Sequence, residues 1–192
     1  MKQKIMMVVL SILVTVFMAA PSMGGHNGQS GKSNMGHLYL YEKMPNPDPL
    51  VPRTDPWLIV EGGMWGKMLY NLSGPTFDFV FNGHGLPVGQ CFELIYYPDP
   101  WPGDGLICLG NGIVNGGGNV HIEGSVDTEG DLPIPSDENY GSDPVGYDYA
   151  GAKIFLVPCN DVNCTGQEMI GWTGDDANLY EDDLITFDDT DD

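Results

Sequence analysis

Residues 96–105 have the composition of a sugar-binding turn. The segment reads YYPDPWPGDG, so Tyr97 and Trp101 lie close in sequence to the carboxylates of Asp99 and Asp104. Aromatic rings pack against the C–H faces of sugars, and carboxylates accept hydrogen bonds from sugar hydroxyls. The sequence therefore predicts a ligand-binding site at these four residues. The alternative is that the aromatic rings pack inward while the prolines stiffen the turn.

A polar loop that begins at Asp161 has the residue spacing of a calcium site. Asp161, Asn163 and Thr165 alternate along the chain, and a glycine follows them. Alternating oxygen ligands and a glycine open many calcium-binding loops. The twelfth position, however, holds Trp172 instead of the bidentate Glu that completes such loops. Two interpretations stay open: a metal site with calcium as the cofactor, or a polar turn held by a disulfide.

Other motifs for modification or catalysis are sparse. Asn71 begins the tripeptide Asn-Leu-Ser at the end of a predicted strand, which makes it the better of two candidate N-glycosylation sites. The hydrolase motifs G-x-S-x-G and H-E-x-x-H are absent from the sequence. Paired carboxylates could hydrolyse glycosidic bonds, but acids are so numerous that no pair stands out. We therefore expect a protein that is not an enzyme, with a secreted hydrolase as an alternative.

Acidic residues dominate the charged groups of the chain. Its 192 residues include 27 Asp and Glu against 7 Lys and Arg, for a formal net charge of −20. This balance excludes nucleic acid as a partner, because binding the phosphate backbone requires Lys and Arg. The acids concentrate in residues 127–148 and 175–192, which could collect divalent cations or simply form solvated surfaces.

The N-terminal residues predict export. Lys2 and Lys4 precede an uncharged apolar run over residues 5–20, and the small residue Gly24 marks the expected cleavage site. The run is shorter than the roughly 20 apolar residues that span a bilayer. Residues 1–24 are therefore predicted to be a signal peptide. The mature protein is then secreted or held at the cell surface, with no stable membrane span after processing.

Four cysteines follow the predicted signal peptide, and an even number in an exported protein indicates two disulfides. A hairpin centred between residues 99 and 100 would place Cys91 opposite Cys108. Cys159 and Cys164 would then form a local pair. Of the three possible connectivities we expect this one, with cross-links between molecules as an alternative.

Short alternating segments make up the rest of the chain. Residues 25–36 are polar and predict a flexible leader. From residue 37 onward, apolar runs alternate with Gly, Pro, Asn and Asp, and the strands they predict include residues 91–97, 119–126, 152–158 and 168–172. In the clearest run, Phe77, Phe79 and Phe81 share one face.

Regular turn signals between such runs are typical of β-sandwiches and barrels. We therefore expect one domain over residues 37–189, with residues 190–192 as an acidic end. The predicted fold is all-β: an antiparallel β-sandwich, Ig-like or jelly-roll-like, of about nine to ten short strands stapled by disulfides.

Several long segments together resemble a group of secreted proteins from methanogenic archaea. The segments are GKMLYNLSGPTFDFVFNGHGL (66–86), LIYYPDPWPGDGLICLG (94–110), GGNVHIEGSVD (117–127) and DLITFDD (183–189). The resemblance implies a β-sandwich domain, sometimes found in envelope-associated proteins. It implies no activity and no catalytic residues.

These observations favour a secreted or cell-surface module that binds or assembles without catalysis, as a structural or adhesion component of the envelope. Its expected partners are other envelope proteins or further copies of itself. The first alternative is a carbohydrate-binding module that uses the aromatic turn. The second is the secreted hydrolase.

Overall fold

The computed structural model of the protein describes residues 33–45, 57–138 and 151–191. The predicted signal peptide lies outside these residues, as does most of the predicted leader. The first strand begins at Met35, two residues before the predicted start of the domain. None of the helices among the described residues is long and apolar enough to cross a bilayer.

β-strands form nearly all of the regular structure, and two short 3-10 helices, Cys159–Asp161 and Asp175–Ala177, complete it in the described residues. The strands are β1 (Met35–Tyr41), β2 (Lys43–Pro45), β3 (Trp57–Ile59), β4 (Trp65–Asn71), β5 (Ser73–Gly74), β6 (Phe77–His84), β7 (Cys91–Tyr97), β8 (Ile107–Ile113), β9 (Asn119–Val126), β10 (Lys153–Pro158), β11 (Val162–Asn163), β12 (Glu168–Met169), β13 (Leu179–Glu181) and β14 (Asp188–Asp189).

Eight of these strands form one antiparallel sheet in the order β8-β7-β10-β13-β1-β4-β6-β9. Three small two-stranded pairings accompany it: β2 with β3, β11 with β12, and β5 with β14. The predicted all-β, antiparallel and disulfide-stapled fold is confirmed.

The sheet curves until its two edge strands, β8 and β9, pack against each other. Gly112 on β8 makes this approach possible, since a Cβ atom there would lie 2.7 Å from the Cγ2 atom of Val120 on β9. A glycine inside a strand commonly marks such a close contact. The fold therefore has two layers, which are opposite parts of the one curved sheet. The main core fills the space between these layers.

The main core takes side chains from all eight strands of the sheet. On β6 the alternation is complete: Phe77, Phe79 and Phe81 are 0%, 4% and 0% exposed. Burying an aromatic side chain of this size contributes roughly 2 kcal/mol. The prediction that these three rings share one buried face is confirmed.

A second, smaller core lies on the outer side of β7, β10 and β13. Tyr97, Phe155 and Tyr180 project outward from these strands. The segment 159–172, which contains the β11–β12 hairpin, packs Val162 and Met169 onto them. This part of the sheet is thus covered on both faces, which explains why β7 and β10 are buried along almost their whole length.

The disulfides join different cysteines from those predicted. Cys91 is bonded to Cys159 and Cys108 to Cys164, with Cα–Cα distances of 5.5 and 5.6 Å. The predicted Cys91–Cys108 and Cys159–Cys164 pairing is wrong, although all four cysteines are bonded as expected.

The register of the sheet explains this correction. The β7–β8 hairpin is centred further along the chain than predicted and is irregular between Leu94 and Ile95, so Cys108 lies opposite Ile95 and Cys91 opposite Ile113. The ladder between β7 and β10 instead continues to the end of both strands, where Cys91 meets the residue that follows β10.

The acidic C-terminal segment 175–192 contributes a central strand. β13 lies between β10 and β1, and its residues Leu179 and Tyr180 are 0% and 7% exposed. Part of the segment expected to be a solvated surface is therefore built into the sheet. The three residues of β13, Leu179–Glu181, are what joins β10 to β1 in the centre of the sheet.

Candidate functional site

Four aromatic side chains surround a cleft of about 370 Å³ on the outer side of β7 and β10. They are Tyr97, Trp101, Phe155 and Trp172, and we call this site the aromatic cleft. Its volume lies within the range of about 300–1,000 Å³ that is usual for small-ligand sites. Two of the four, Tyr97 and Trp101, belong to the sequence-predicted ligand site.

Two stacked rings form the floor of the aromatic cleft. Tyr97 ends β7 and Phe155 lies on the neighbouring strand β10, so both project from the outer side of the sheet. Their ring centroids are 5.2 Å apart and their planes differ by 17°. Tyr180 packs its ring against Phe155 in an edge-to-face arrangement, at 5.2 Å and 74°. The floor is therefore preformed by the packing of these three rings.

Two partly exposed tryptophans form the walls. Trp101, in the turn between β7 and β8, is 54% exposed, and Trp172, which follows β12, is 40% exposed. Their ring centroids are 6.1 Å apart and their planes cross at 81°. The indole Nε1–H of Trp172 donates a hydrogen bond of 2.9 Å to Asp175, which orients that ring.

Backbone contacts hold the two wall segments together. The amide of Met169 donates to the carbonyl of Pro102 at 2.9 Å, and the amide of Leu106 donates to the carbonyl of Gln167 at 3.2 Å. The Cys108–Cys164 disulfide links the same two segments covalently. Because the walls are tied at three points, the edge-to-face contact between Trp101 and Trp172 does not depend on side-chain packing alone.

Asp161, the first residue of the predicted calcium loop, braces the Trp172 wall. Its carboxylate accepts hydrogen bonds from the amide and the hydroxyl of Thr173, at 2.7 and 3.0 Å. The side chain of Asn163 accepts from the amide of Gly166 at 3.0 Å, within the hairpin turn. Thr165 is exposed in that turn. The structure thus engages Asp161 and Asn163 with different partners, as expected for a polar turn, and the calcium interpretation stays a prediction.

A charged pair lies beside the floor. Asp99 forms an ion pair with Lys153, and Lys153 is the residue paired with Tyr97 in the β7–β10 ladder. The side chains of both charged residues are 26% exposed. Asp104, the fourth residue of the predicted ligand site, is exposed in the same turn but is not part of the cleft lining.

Buried phenols support the cleft from behind. Tyr96 donates a 2.6 Å hydrogen bond to the buried carboxylate of Asp137 and accepts one of 3.1 Å from the amide of Ile134. Burial, followed by the nearby charges of Asp99 and Asp137, raises the pKa of Tyr97 to about 12. Its phenol group therefore stays protonated at neutral pH.

Sequence reasoning missed Phe155 and Trp172. Both lie in runs that the sequence marks as strands, but neither run carries a hint that it adjoins residues 96–105. The link arises because β10 inserts beside β7 and because Cys108 is bonded to Cys164. Pairing the cysteines correctly would have brought Trp172 to the turn that carries Trp101.

Asn71, the predicted glycosylation site, has a structural role. It is 9% exposed, and its Nδ2 atom donates to the carbonyls of Ser73 and Thr76 at 3.2 and 2.8 Å. Its Oδ1 atom accepts from the amide of Asp78 at 2.8 Å. A glycan on Nδ2 would displace these bonds, so the fold disfavours glycosylation at this residue.

Among the described residues, one group of three metal-binding side chains brings its ligand atoms within 4.8 Å of one another, and it consists of Glu93, Cys108 and Cys164. The two sulfur atoms are joined in a disulfide and are not available as thiolate ligands. This group therefore supplies a single carboxylate, which is too few ligands for a metal centre.

Comparisons with protein-family models, curated proteins and solved structures gave no match to the chain. The resemblance to secreted archaeal proteins stays a prediction. Function must accordingly be argued from the geometry of the site.

Proposed function

We propose that the protein is an extracellular binding module that takes a sugar ring of a neutral oligosaccharide into the aromatic cleft. The observation that carries this proposal is the pair of partly exposed tryptophans, 6.1 Å apart and crossed at 81°, above a stacked aromatic floor. A sugar ring presents apolar C–H faces that pack on such rings. The cleft is concave and about 370 Å³ in volume, which suits one or two sugar units.

Polar groups around the floor supply hydrogen bonds for hydroxyl groups. The Asp99 carboxylate and the Lys153 ammonium lie next to Tyr97 and are both partly exposed. A carboxylate accepts hydrogen bonds and an ammonium donates them, so the pair can recognise a hydroxyl from either side. A net charge of −20 repels anionic saccharides, which favours a neutral ligand.

An aromatic lining supports binding rather than hydrolysis. Glycoside hydrolysis uses two carboxyl groups that flank the scissile bond. The four residues that line the aromatic cleft are all aromatic, and Asp99 is held in an ion pair with Lys153. The proposal therefore assigns the site to recognition.

The two disulfides support an extracellular location, since disulfides persist in oxidising compartments. Together with the predicted signal peptide, they are consistent with the expected role at the cell surface. In this proposal the protein is a component of the cell envelope, and its aromatic cleft attaches the envelope to a glycan.

Titration with neutral oligosaccharides, followed by tryptophan fluorescence, tests the proposal. Hexamers of glucose, mannose and N-acetylglucosamine serve as probes. We expect at least one of them to change the emission of the wild-type protein and to bind Trp101→Ala far more weakly. Trp65→Ala is the matched control, because Trp65 is also partly exposed but lies on a different part of the sheet. Binding that survives Trp101→Ala, or no response to any probe, would contradict the proposal.

A further inference from the structure

The sheet has a second distinctive surface on the outer side of β1, β4, β6 and β9. Along each of these strands alternate residues enter the main core, and the residues between them point outward. Strand register arranges twelve of the outward residues in three rows of four, and the exposed residues Met35, Asp78 and Ser125 continue the face beyond the third row. We call this surface the outer face, and its rows are Tyr41-Trp65-His84-Asn119, Tyr39-Lys67-Asn82-His121 and His37-Leu69-Val80-Glu123.

Apolar and aromatic groups of the outer face are open to solvent. Trp65 is 39% exposed and Leu69 is 45% exposed. Two adjoining cavities, of about 420 and 360 Å³, share Tyr39 and Trp65 in their linings. The ring of Trp65 lies 4.5 Å from that of His84. Exposed apolar side chains grouped on one face commonly mark a protein interface.

The charge of the outer face differs from that of the whole chain. Of its twelve side chains only Glu123 is acidic, and Asp78 is a second exposed acid at the margin of the face. The Glu123 carboxylate lies 3.5 Å from the imidazole of His121. Lys67 lies over the ring of Tyr39, 5.3 Å from the ring centroid. Within the described part of the chain, no carboxylate forms an ion pair with Lys67. Three of the four histidines of the sequence also lie on this face.

We infer that a second copy of this chain docks on the outer face through a two-fold symmetric interface. Two molecules of net charge −20 repel each other along most approaches. The outer face is a surface on which they can meet without bringing many carboxylates together.

A two-fold axis also suits the charges that the outer face does carry. In a two-fold interface each patch meets the same patch of the other copy. Lys67 and Glu123 lie on different strands and in different rows of the face. A two-fold axis between them would place Lys67 of each copy near Glu123 of the other, while Trp65 and Leu69 lose contact with water.

Sedimentation velocity on the mature chain tests this inference, at protein concentrations from about 1 µM to about 1 mM, the range of weak to moderate association. We expect a concentration-dependent dimer. Leu69→Glu adds a carboxylate to the centre of the interface and should raise the dimer dissociation constant by about tenfold or more. Ile113→Glu is the matched control, because Ile113 is 72% exposed on β8, outside the outer face, and should leave the dimer unchanged.

Three results would overturn the inference. One is a monomer at every concentration. Another is a dimer that Leu69→Glu leaves intact, or that Ile113→Glu disrupts equally. The third is a monomer whose melting temperature falls in Leu69→Glu but not in Ile113→Glu, since the face would then be covered by the chain itself. Trp101→Ala should sediment like the wild-type protein, so failure of the sugar-binding proposal would not affect this test.

Discussion

The aromatic cleft and the outer face are both rich in aromatic side chains, and both lie on the outer side of the same sheet. They differ in what covers the strands. Segment 159–172 packs a second core on β7, β10 and β13 and raises the wall that carries Trp172. On the outer face, residues 59–64 border one cavity beside Tyr41 and Trp65, and none of these six residues is aromatic. The two regions therefore differ in the segment that borders each cavity: a disulfide-linked segment with a tryptophan at the cleft, and residues 59–64 at the outer face.

The two regions also differ in their charged groups. Beside the cleft, the carboxylate of Asp99 is matched by Lys153. On the outer face, Lys67 contacts an aromatic ring and the one carboxylate lies against an imidazole. The aromatic cleft, with its matched ion pair, suits a small neutral ligand. The outer face, with few acidic residues, suits the surface of another protein molecule.

Removing the Cys108–Cys164 disulfide should produce the largest effect. In the chain-entropy model, a cross-link that spans 56 residues contributes about 4 kcal/mol to the free energy of unfolding. Cys108→Ser/Cys164→Ser should lose about this amount in urea denaturation and should also lose ligand binding, because the Trp172 wall is released.

The matched control is Cys91→Ser/Cys159→Ser, whose cross-link spans 68 residues at the end of β7 and β10. It should lose a similar free energy of unfolding but keep ligand binding in the molecules that remain folded. Equal loss of binding in both double variants would contradict the assignment of the bracing role to Cys108–Cys164.

Truncating either wall should have the next largest effect. Trp101→Ala and Trp172→Ala should each weaken oligosaccharide binding by about 2 kcal/mol, or about 30-fold in the dissociation constant, as expected for buried aromatic contacts. Calorimetric titration measures this change. If Trp65→Ala produced the same loss, the distinction between the cleft and the outer face would fail.

A more gradual effect, spread over several pH units, is expected at β13, the strand that joins the two regions. Burial raises the pKa of Glu181 from 4.5 to about 8, and its buried Oε2 atom has no hydrogen-bond partner among the described residues. The folded protein thus keeps a proton that the unfolded chain releases. Glu181 therefore stabilises the fold fully below about pH 4.5, and this contribution is lost as the pH rises towards about 8.

Denaturation at a series of pH values tests this expectation. Between these limits the contribution of Glu181 should fall by up to about 1.4 kcal/mol per pH unit. Glu181→Gln should remove that part of the slope, and Asp183→Asn, at an exposed neighbour, should retain it. Identical pH profiles for Glu181→Gln and the wild-type protein would show that Glu181 is ionised in the folded state.

Much of the fold could be predicted from local patterns, because each strand carries its own signal. The runs predicted at residues 91–97 and 119–126 coincide with β7 and β9, since alternation and flanking turn residues are local properties. β13 could not be found in this way. It has three residues within an acidic segment, and its place in the sheet depends on pairing with β1 and β10.

The candidate site was half predictable for the same reason. Tyr97 and Trp101 lie in one short turn, so their proximity follows from the sequence. Phe155 and Trp172 reach them only through strand order and a disulfide between residues 56 positions apart. The predicted disulfides were wrong because a small change in hairpin register moved Cys108 away from Cys91.

The indole N–H signals of the four tryptophans test the central claim most directly. Each indole gives one peak in a proton–nitrogen correlation spectrum, and single Trp→Phe variants assign the peaks. On addition of the oligosaccharide that binds, we predict that the peaks of Trp101 and Trp172 shift while that of Trp65 does not. A shift confined to Trp65, or equal shifts of all four peaks, would contradict the assignment of ligand binding to the aromatic cleft.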